Sequence, residues 1–344
     1  MTEHGALYRK YRPQTFAEVR DQDHVVKVLE GAIKKGEIPH ALLFSGTRGT
    51  GKTTLARIFA REIGTSSVDL YEIDAASNRG IDDIRELKEA VHTLPYESKY
   101  KVYIIDEVHL LTKEAFNALL KTLEEPPEHV LFILATTEEE KLLDTILSRC
   151  QVFRFRSPSR EVLATTVIDV AKKEGFTLSP DAADLIAVAA DGSFRDALGV
   201  TQKVILASGD KIGGADEVAT IIGAPRTAVI CALLSALGER KTEDALTAVA
   251  EAVTAHADMK LFIRLLLEAL RSVILLRYQP TKEEIILNAF SPEMRNVIVV
   301  LAKQKDSVLN SHVLLRFLKA ADEIHFSPLP HLPIEIAVID VTTK

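Results

Sequence analysis

Two short runs carry the residue types best suited to chemistry. Gly46 to Thr53 reads GTRGTGKT, and Lys101 to Glu107 reads KVYIIDE. In the first run the glycines let the backbone turn so that successive N–H groups point inward, a cradle for phosphate oxygens. Lys52 would reach the β- and γ-phosphates of a nucleoside triphosphate, and the Thr53 hydroxyl would sit on Mg²⁺. In the second run a buried strand ends in two adjacent carboxylates. Asp106 suits Mg²⁺ held through water, and Glu107 is placed to orient and polarise an attacking water. Together they predict hydrolysis of a nucleoside triphosphate.

Four further stretches could complete such a site. Leu131 to Thr137, LFILATT, is another buried strand ending in hydroxyls, and either Thr136 or Thr137 would emerge beside the γ-phosphate. In TILSRC, Thr145 to Cys150, Arg149 follows a helix end and points away from its own nucleotide. It suits either a finger reaching a neighbour's phosphates or a surface salt bridge. In GSFRDAL, Gly192 to Leu198, Gly-Ser makes a turn and helix cap, and Arg195 lies in the first turn. Arg195 would either fold over the phosphates or pair with Asp191 or Asp196. The basic-aromatic opening LYRKYRPQTFAEV reads as a nucleic-acid arm, a packing strap or one wall of a nucleotide pocket. His109, directly after the acidic pair, reads as a packed residue, since no second histidine stands at zinc-ligand spacing.

The elements that must position these residues alternate along the chain. Strands are predicted at 41–45, 68–74, 101–105, 130–135 and 151–155, with helices at 23–35, 53–62, 80–92 and 113–125. Most of the strands are continuous apolar runs, as parallel strands covered on both faces require. Pro126-Pro127 stops the last helix. The sum is a doubly wound α/β domain with its ligand at the carboxyl ends of the strands. After Ser157-Pro158 only helical patterns follow, broken at Gly175, Gly192 and Gly209 and then at Gly223 to Thr227. Met259 to Tyr278 is apolar on more than one side and should be central in a helical bundle. Three domains are expected: an α/β nucleotide-binding domain at 1–157, an all-α lid at 158–224 and an all-α C-terminal domain at 225–344, ending in an amphipathic turn or helix.

Composition narrows the function classes. Lys plus Arg total 42 against 49 Asp plus Glu, a formal charge of −7, so a wholesale basic protein is excluded while a local basic lining is not. The two cysteines, Cys150 and Cys231, make neither a disulfide framework nor a four-cysteine zinc site. Cysteine usage fits a reducing cytosol, and no apolar run reaches the length of a membrane span, so a soluble cytoplasmic protein is expected.

In order, these motifs resemble the AAA+ ATPases, and among them the gamma/tau clamp-loader family of bacterial DNA polymerase III. The resemblance rests on YRKYRPQTFAEV, HALLFSGTRGTGKTTLAR, EIDAASNRGIDDIREL, KVYIIDEVHLLTKEAFNALLKTLEEPPEHVLFILATT, TILSRCQVFRF and GSFRDAL, and it is strongest up to about residue 200. It implies a Walker A loop that binds ATP through Gly46, Thr47, Arg48, Gly49, Thr50, Gly51, Lys52, Thr53 and the adjoining Thr54. It implies Walker B at Asp106 and Glu107, a first sensor at Thr137, a trans finger at Arg149 and a second sensor at Arg195. Tyr8, Arg12, Pro13 and Val19 would line the adenine side. Implied partners are other clamp-loader subunits in a hetero-pentamer, a sliding clamp, and primer–template DNA held without sequence preference. Arg79, Arg85, Lys121 and Lys141 would face that DNA, because phosphate contacts need only positive charge and helix N-termini. The family's four-cysteine zinc module is missing from the short interval 64–68, so no zinc is expected. The chain stops where that family's collar ends, implying a short natural product or a trimmed one. Two rivals stand beside this reading: a helicase, since DEVH resembles a helicase box, and a loader arm that binds nucleotide without turnover.

Overall fold

Three of the predicted strands are apolar enough to be covered on both faces, and they form the middle of one sheet. In the computed structural model, which describes residues 5–78, 80–208, 212–288, 290–304 and 308–343, the strands are β1 (Ala41–Ser45), β2 (Leu70–Asp74), β3 (Lys101–Asp106), β4 (Val130–Thr136) and β5 (Gln151–Arg154). Their order is β2-β3-β4-β1-β5, and every pairing is parallel. The central β3, β4 and β1 are buried almost throughout, whereas the edge strands β2 and β5 carry exposed polar residues.

The two-residue period of a strand divides each apolar run between two cores. Leu42, Phe44, Val102, Ile104, Leu131, Ile133 and Ala135 share one face. It is covered by Val25 and Leu29 of α2 (Asp23–Lys35) and by Leu55, Ile58 and Phe59 of α3 (Lys52–Glu62). The short α1 (Leu7–Lys10) precedes them. Ala41, Leu43, Tyr103, Ile105, Phe132 and Leu134 share the other face, against α4 (Ile81–Val91), α5 (Lys113–Glu124) and Ile146 of α6 (Asp144–Leu147). Because all five strands run the same way, the residues after β1, β3 and β4 meet at one sheet edge; Ser45 pairs in register with Thr136.

By packing, the described chain divides into two units, one of Met1–Thr166 with Ala190–Gly199, the other of Val167–Ala189 with Val200–Lys344. Residues 190–199, predicted within the lid, thus group with the sheet. The region after 158 contains α7 (Arg160–Lys173), α8 (Pro180–Ala189), α9 (Phe194–Ala207) and α10 (Ala215–Ile222). It is not wholly helical as expected: β6 (Thr177–Leu178) and β7 (Ile212–Gly213) pair in parallel. Two-residue strands are too short to show a period. Gly209 lies outside the described residues. The helices α11 (Thr227–Gly238), α12 (Thr242–Thr254), α13 (Met259–Tyr278), α14 (Glu283–Leu287), α15 (Pro292–Lys303), α16 (Ser311–Ile324) and α17 (Leu332–Thr342) follow. They share one apolar core, to which α13 contributes Phe262, Leu266, Leu270 and Val273. The last helix is apolar on several sides rather than amphipathic. It buries Ile334, Ala337 and Val338 and leaves Ile336 and Ile339 exposed. Among the described residues no single helix is long and apolar enough to cross a membrane.

Candidate functional site

The GTRGTGKT run folds as the turn its glycines predict. Gly46 has φ 148°, and a Cβ there would lie 2.7 Å from the Phe155 carbonyl oxygen, so the loop tolerates no side chain. Gly49 has φ 76°, and a Cβ would meet the Ser193 side chain, with its Cβ at 2.9 Å. The Phe194 N–H donates to the Gly49 carbonyl at 3.0 Å, which ties the GSFRDAL turn to the loop. α3 starts at Lys52, so its free N–H groups and positive dipole end face the same place. Lys52 is buried, 6% exposed, and its Nζ donates to the Gly46 and Thr47 carbonyls at 2.7 and 2.9 Å. Burial pulls its pKa down, while Glu107 and Asp106 push it back up.

The carboxylates approach from β3. Thr53 Oγ1 donates to Asp106 Oδ2 at 2.7 Å, bringing two hard oxygens together at the start of α3. That donor set fits Mg²⁺, which takes oxygen ligands and shares its shell with phosphates. Glu107 adopts φ 49°, ψ 45°, a left-handed conformation that costs a non-glycine residue roughly 1–3 kcal/mol. The turn projects its side chain from the strand end. Thr137 Oγ1 donates to Glu107 Oε2 at 3.0 Å. Thr136 is fully buried and lies 3.0 Å from His109 Nδ1. Of the two threonines, Thr137 is therefore the one directed at the acidic pair. The imidazole of His109 is 4% exposed, as expected of a packed residue.

Other predicted residues gather around this edge. The Arg195 guanidinium lies over the Tyr8 ring, 5.0 Å from its centroid. Hydrogen bonding to Arg195, then to Arg9, holds the Tyr8 hydroxyl pKa down. Burial lowers the Arg12 pKa, with the Arg57 charge adding to it. Pro13 is half-buried, and Val19 packs on the core face that holds Phe16 and Phe59. Within the loop, Thr50 is buried and donates to the Thr47 carbonyl at 2.9 Å, while Arg48 is exposed and Thr54 half-buried. Arg149 is not beside this loop in the folded chain: it forms a salt bridge with Glu124 and donates to the Thr145 carbonyl at 2.7 Å. Lys121 and Lys141 are exposed. Arg79 and the side chain of Arg85 lie outside the described residues. Sequence reasoning missed Glu138, whose carboxylate lies 3.2 Å from His109 Nε2 and 2.6 Å from Lys141 Nζ. Nothing in its local sequence marked it.

This sheet order and glycine loop define a P-loop domain of the AAA+ type. In fold the chain is similar to Thermotoga maritima RuvB, described as a Holliday junction branch migration motor. The TM-score is 0.53 at 24% identity, covering 67% of this chain and 80% of that one. Family models match in succession: "DNA polymerase III, delta subunit" over 65–159, the "DNA polymerase III clamp loader subunit, ATPase lid domain" over 163–210, and "DNA polymerase III subunits gamma and tau domain III" over 214–344. DNA polymerase III subunit tau of Bacillus subtilis is 36% identical over 98% of this chain. The tau subunit of Escherichia coli is 39% identical over 80% of it, and gamma/tau of Mycobacterium bovis 37% over 80%. The chain belongs to the gamma/tau-like clamp-loader ATPases. It spans 63%, 46% and 52% of those three relatives' lengths. These relatives do not favour the helicase alternative.

Proposed function

We propose that the chain is an ATP-driven subunit of a sliding-clamp loader, binding and hydrolysing ATP so that a clamp is opened and placed on primed DNA. The convergence of Lys52, the Thr53–Asp106 pair and the Glu107–Thr137 pair at one sheet edge carries this reading. Gly46 to Thr54 cradle the triphosphate, and Lys52 exchanges its loop carbonyls for phosphate oxygens. Thr53 and Asp106 would hold Mg²⁺, whose positive charge would neutralise those oxygens. Glu107 accepts from and aims the attacking water, and Thr137 reports on that geometry. Tyr8, Arg12, Pro13 and Val19 line the base side. Arg195, tethered near Tyr8, acts on the same ATP.

Arg149 serves as the finger for an adjacent subunit's ATP, which makes turnover depend on assembly. Three segments divide the labour: 1–157 binds nucleotide, 158–224 forms a lid, and 225–344 holds the subunits together. Exposed Leu315 and Leu318 on α16 and Ile336 and Ile339 on α17 support an oligomer contact there, since monomeric surfaces rarely expose apolar residues in runs. The partners are other loader subunits in a hetero-pentamer, a sliding clamp and primer–template DNA, in the cytoplasm. Lys121 and Lys141, with Arg79 and Arg85, contact DNA phosphates without reading sequence.

The test is ATPase activity of the assembled loader, with and without clamp and primed DNA, for wild type and Arg149→Ala. A trans finger is worth about 10³–10⁵ in turnover, so Arg149→Ala abolishes stimulation. Full stimulation in the assembled variant would remove the trans-site reading.

A further inference from the structure

His109 is a buried titratable side chain, and the mechanism above gives it no task. Its imidazole faces three oxygens. Nδ1 lies 3.0 Å from Thr136 Oγ1 and 3.6 Å from Glu107 Oε2, and Nε2 lies 3.2 Å from Glu138 Oε1. The hydrogen-bond network assigns its tautomer. Thr136 Oγ1 already accepts from the Glu138 N–H at 3.0 Å, so the hydroxyl has its own proton to give, and Nδ1 is within reach to take it. Glu138 is kept ionised by Lys141, whose Nζ sits 2.6 Å from Oε2, and an ionised carboxylate can only accept. In the neutral ring these contacts place the proton on Nε2, directed at Glu138. Nδ1 then presents a lone pair towards Glu107, and two acceptors do not bond. Glu107 takes its hydrogen bond from Thr137 instead.

We propose that Glu138 is a positioning residue for Glu107, acting through His109: by accepting from Nε2–H it keeps Nδ1 from donating to, and so capturing, the Glu107 carboxylate. The inference rests on the reading of Glu107 as the residue that aims the attacking water. With the Glu138 carboxylate gone, Nε2–H has no acceptor, whereas the Nδ1–H tautomer finds two, Thr136 Oγ1 and Glu107 Oε2. Moving the proton between ring nitrogens changes no net charge. It does convert the neighbour of Glu107 from an acceptor to a donor. A Glu107 carboxylate bonded to both Thr137 and His109 is drawn towards the core and is a weaker acceptor for water. Lys141, the exposed outer end of the chain of contacts, holds the second Glu138 oxygen in place.

The experiment measures ATP turnover of the assembled loader with clamp and primed DNA, for wild type, Glu138→Ala, Glu138→Gln and Glu107→Gln. In parallel, imidazole ¹⁵N spectra of the full chain report the His109 tautomer. Glu138→Ala is expected to lower kcat about tenfold, a fraction of the 10²–10⁴ that a positioned base contributes, with KM for ATP within about twofold. Its His109 proton is expected on Nδ1 rather than Nε2. Glu138→Gln keeps an acceptor oxygen for Nε2–H and should stay near wild type in both readouts. Glu138 is on the surface side of the imidazole, so these substitutions leave the core intact. An Nε2–H tautomer retained in Glu138→Ala, an unchanged kcat, or a Glu138→Gln loader as slow as Glu138→Ala would overturn the proposal. Glu107→Gln separates the two readings. If it turns over undiminished, the role given to Glu107 fails. If it is inactive while Glu138→Ala is unimpaired, only the His109 link fails.

Discussion

Lys52 and Lys101 are both buried, at opposite ends of one parallel sheet, and burial lowers the pKa of both. Their partners differ in kind. Lys101 opens β3 and donates to the Ala90 carbonyl and Thr93 Oγ1, each at 2.7 Å, with its Nζ 5.0 Å from the Tyr71 ring. That ring stacks on Tyr103, and Tyr103 on Phe132, across β2, β3 and β4 at 5.0 and 5.5 Å. Nearby Asp69 is fully buried and accepts from the N–H groups of Tyr96, Glu97 and Ser98 at 2.6, 2.9 and 2.8 Å. Ala90 belongs to α4 and Tyr71 to β2, while Thr93 and the three Asp69 donors lie in the short loop that joins α4 to β3. Lys52 instead donates to two carbonyls of its own glycine loop, while Asp106 and Glu107 act on it through space. A buried charge satisfied between neighbouring elements is structural. One satisfied by a loop that phosphates can rearrange is held ready for ligand.

Exchanging each lysine for methionine separates the two roles. Lys52→Met should reduce ATP turnover by about 10²-fold or more, as removing a charge that stabilises the transferring phosphoryl group does. Its thermal midpoint should barely move, because the Gly46 and Thr47 carbonyls lie on a partly exposed loop where water can replace the ammonium. A large loss of stability with retained turnover would invert the comparison. Lys101→Met removes two donations from the ammonium, but the Ala90 carbonyl keeps the Thr93 hydroxyl as donor at 2.7 Å, so the cost is about 1 kcal/mol in urea unfolding. Nucleotide affinity, measured by titration, should not change, and a weakened affinity would tie the two sheet ends together.

The smallest effect concerns acid stability. Burial pushes the Asp69 carboxyl pKa up, and the Glu97, Tyr96 and Ser98 donors outweigh it, leaving the group at about 2 against an ordinary 3.8. A pKa depressed in the folded state adds stability that is present above 3.8 and is lost as pH falls through about 2. Wild-type stability should therefore fall more steeply across that interval than that of Asp69→Asn, followed by circular dichroism in fixed denaturant. Equal slopes would show that Asp69 is not what the acid removes.

The two lysines also mark how far sequence reading reaches. Lys52 stood in a spaced motif between an apolar strand and a helix, so its place at the glycine loop was legible, though its bonds to the Gly46 and Thr47 carbonyls were not. Lys101 stood at the head of KVYIIDE as one more charged residue, because its partners come from 8 and 11 residues upstream and from a tyrosine on the neighbouring strand. Strand positions were readable for the same reason as Lys52: β1, β3 and β4 are covered on both faces and therefore unbroken in apolar residues. The β6–β7 pair was not, since two residues carry no period. His109 was readable as packed, yet its three oxygen neighbours were not.

Local sequence determined what could be determined by spacing: the glycine turn before α3, the acidic pair ending β3, and the apolar runs whose alternation supplies two cores. Each of these is set by the residue's own backbone preference or by its near neighbours. Only the tertiary structure decided which threonine reaches Glu107, that Arg195 lies on Tyr8, and that Arg149 is held by Glu124. Those contacts join residues 25 to nearly 190 positions apart, and it is packing of the sheet and its helices that brings such residues within hydrogen-bonding reach.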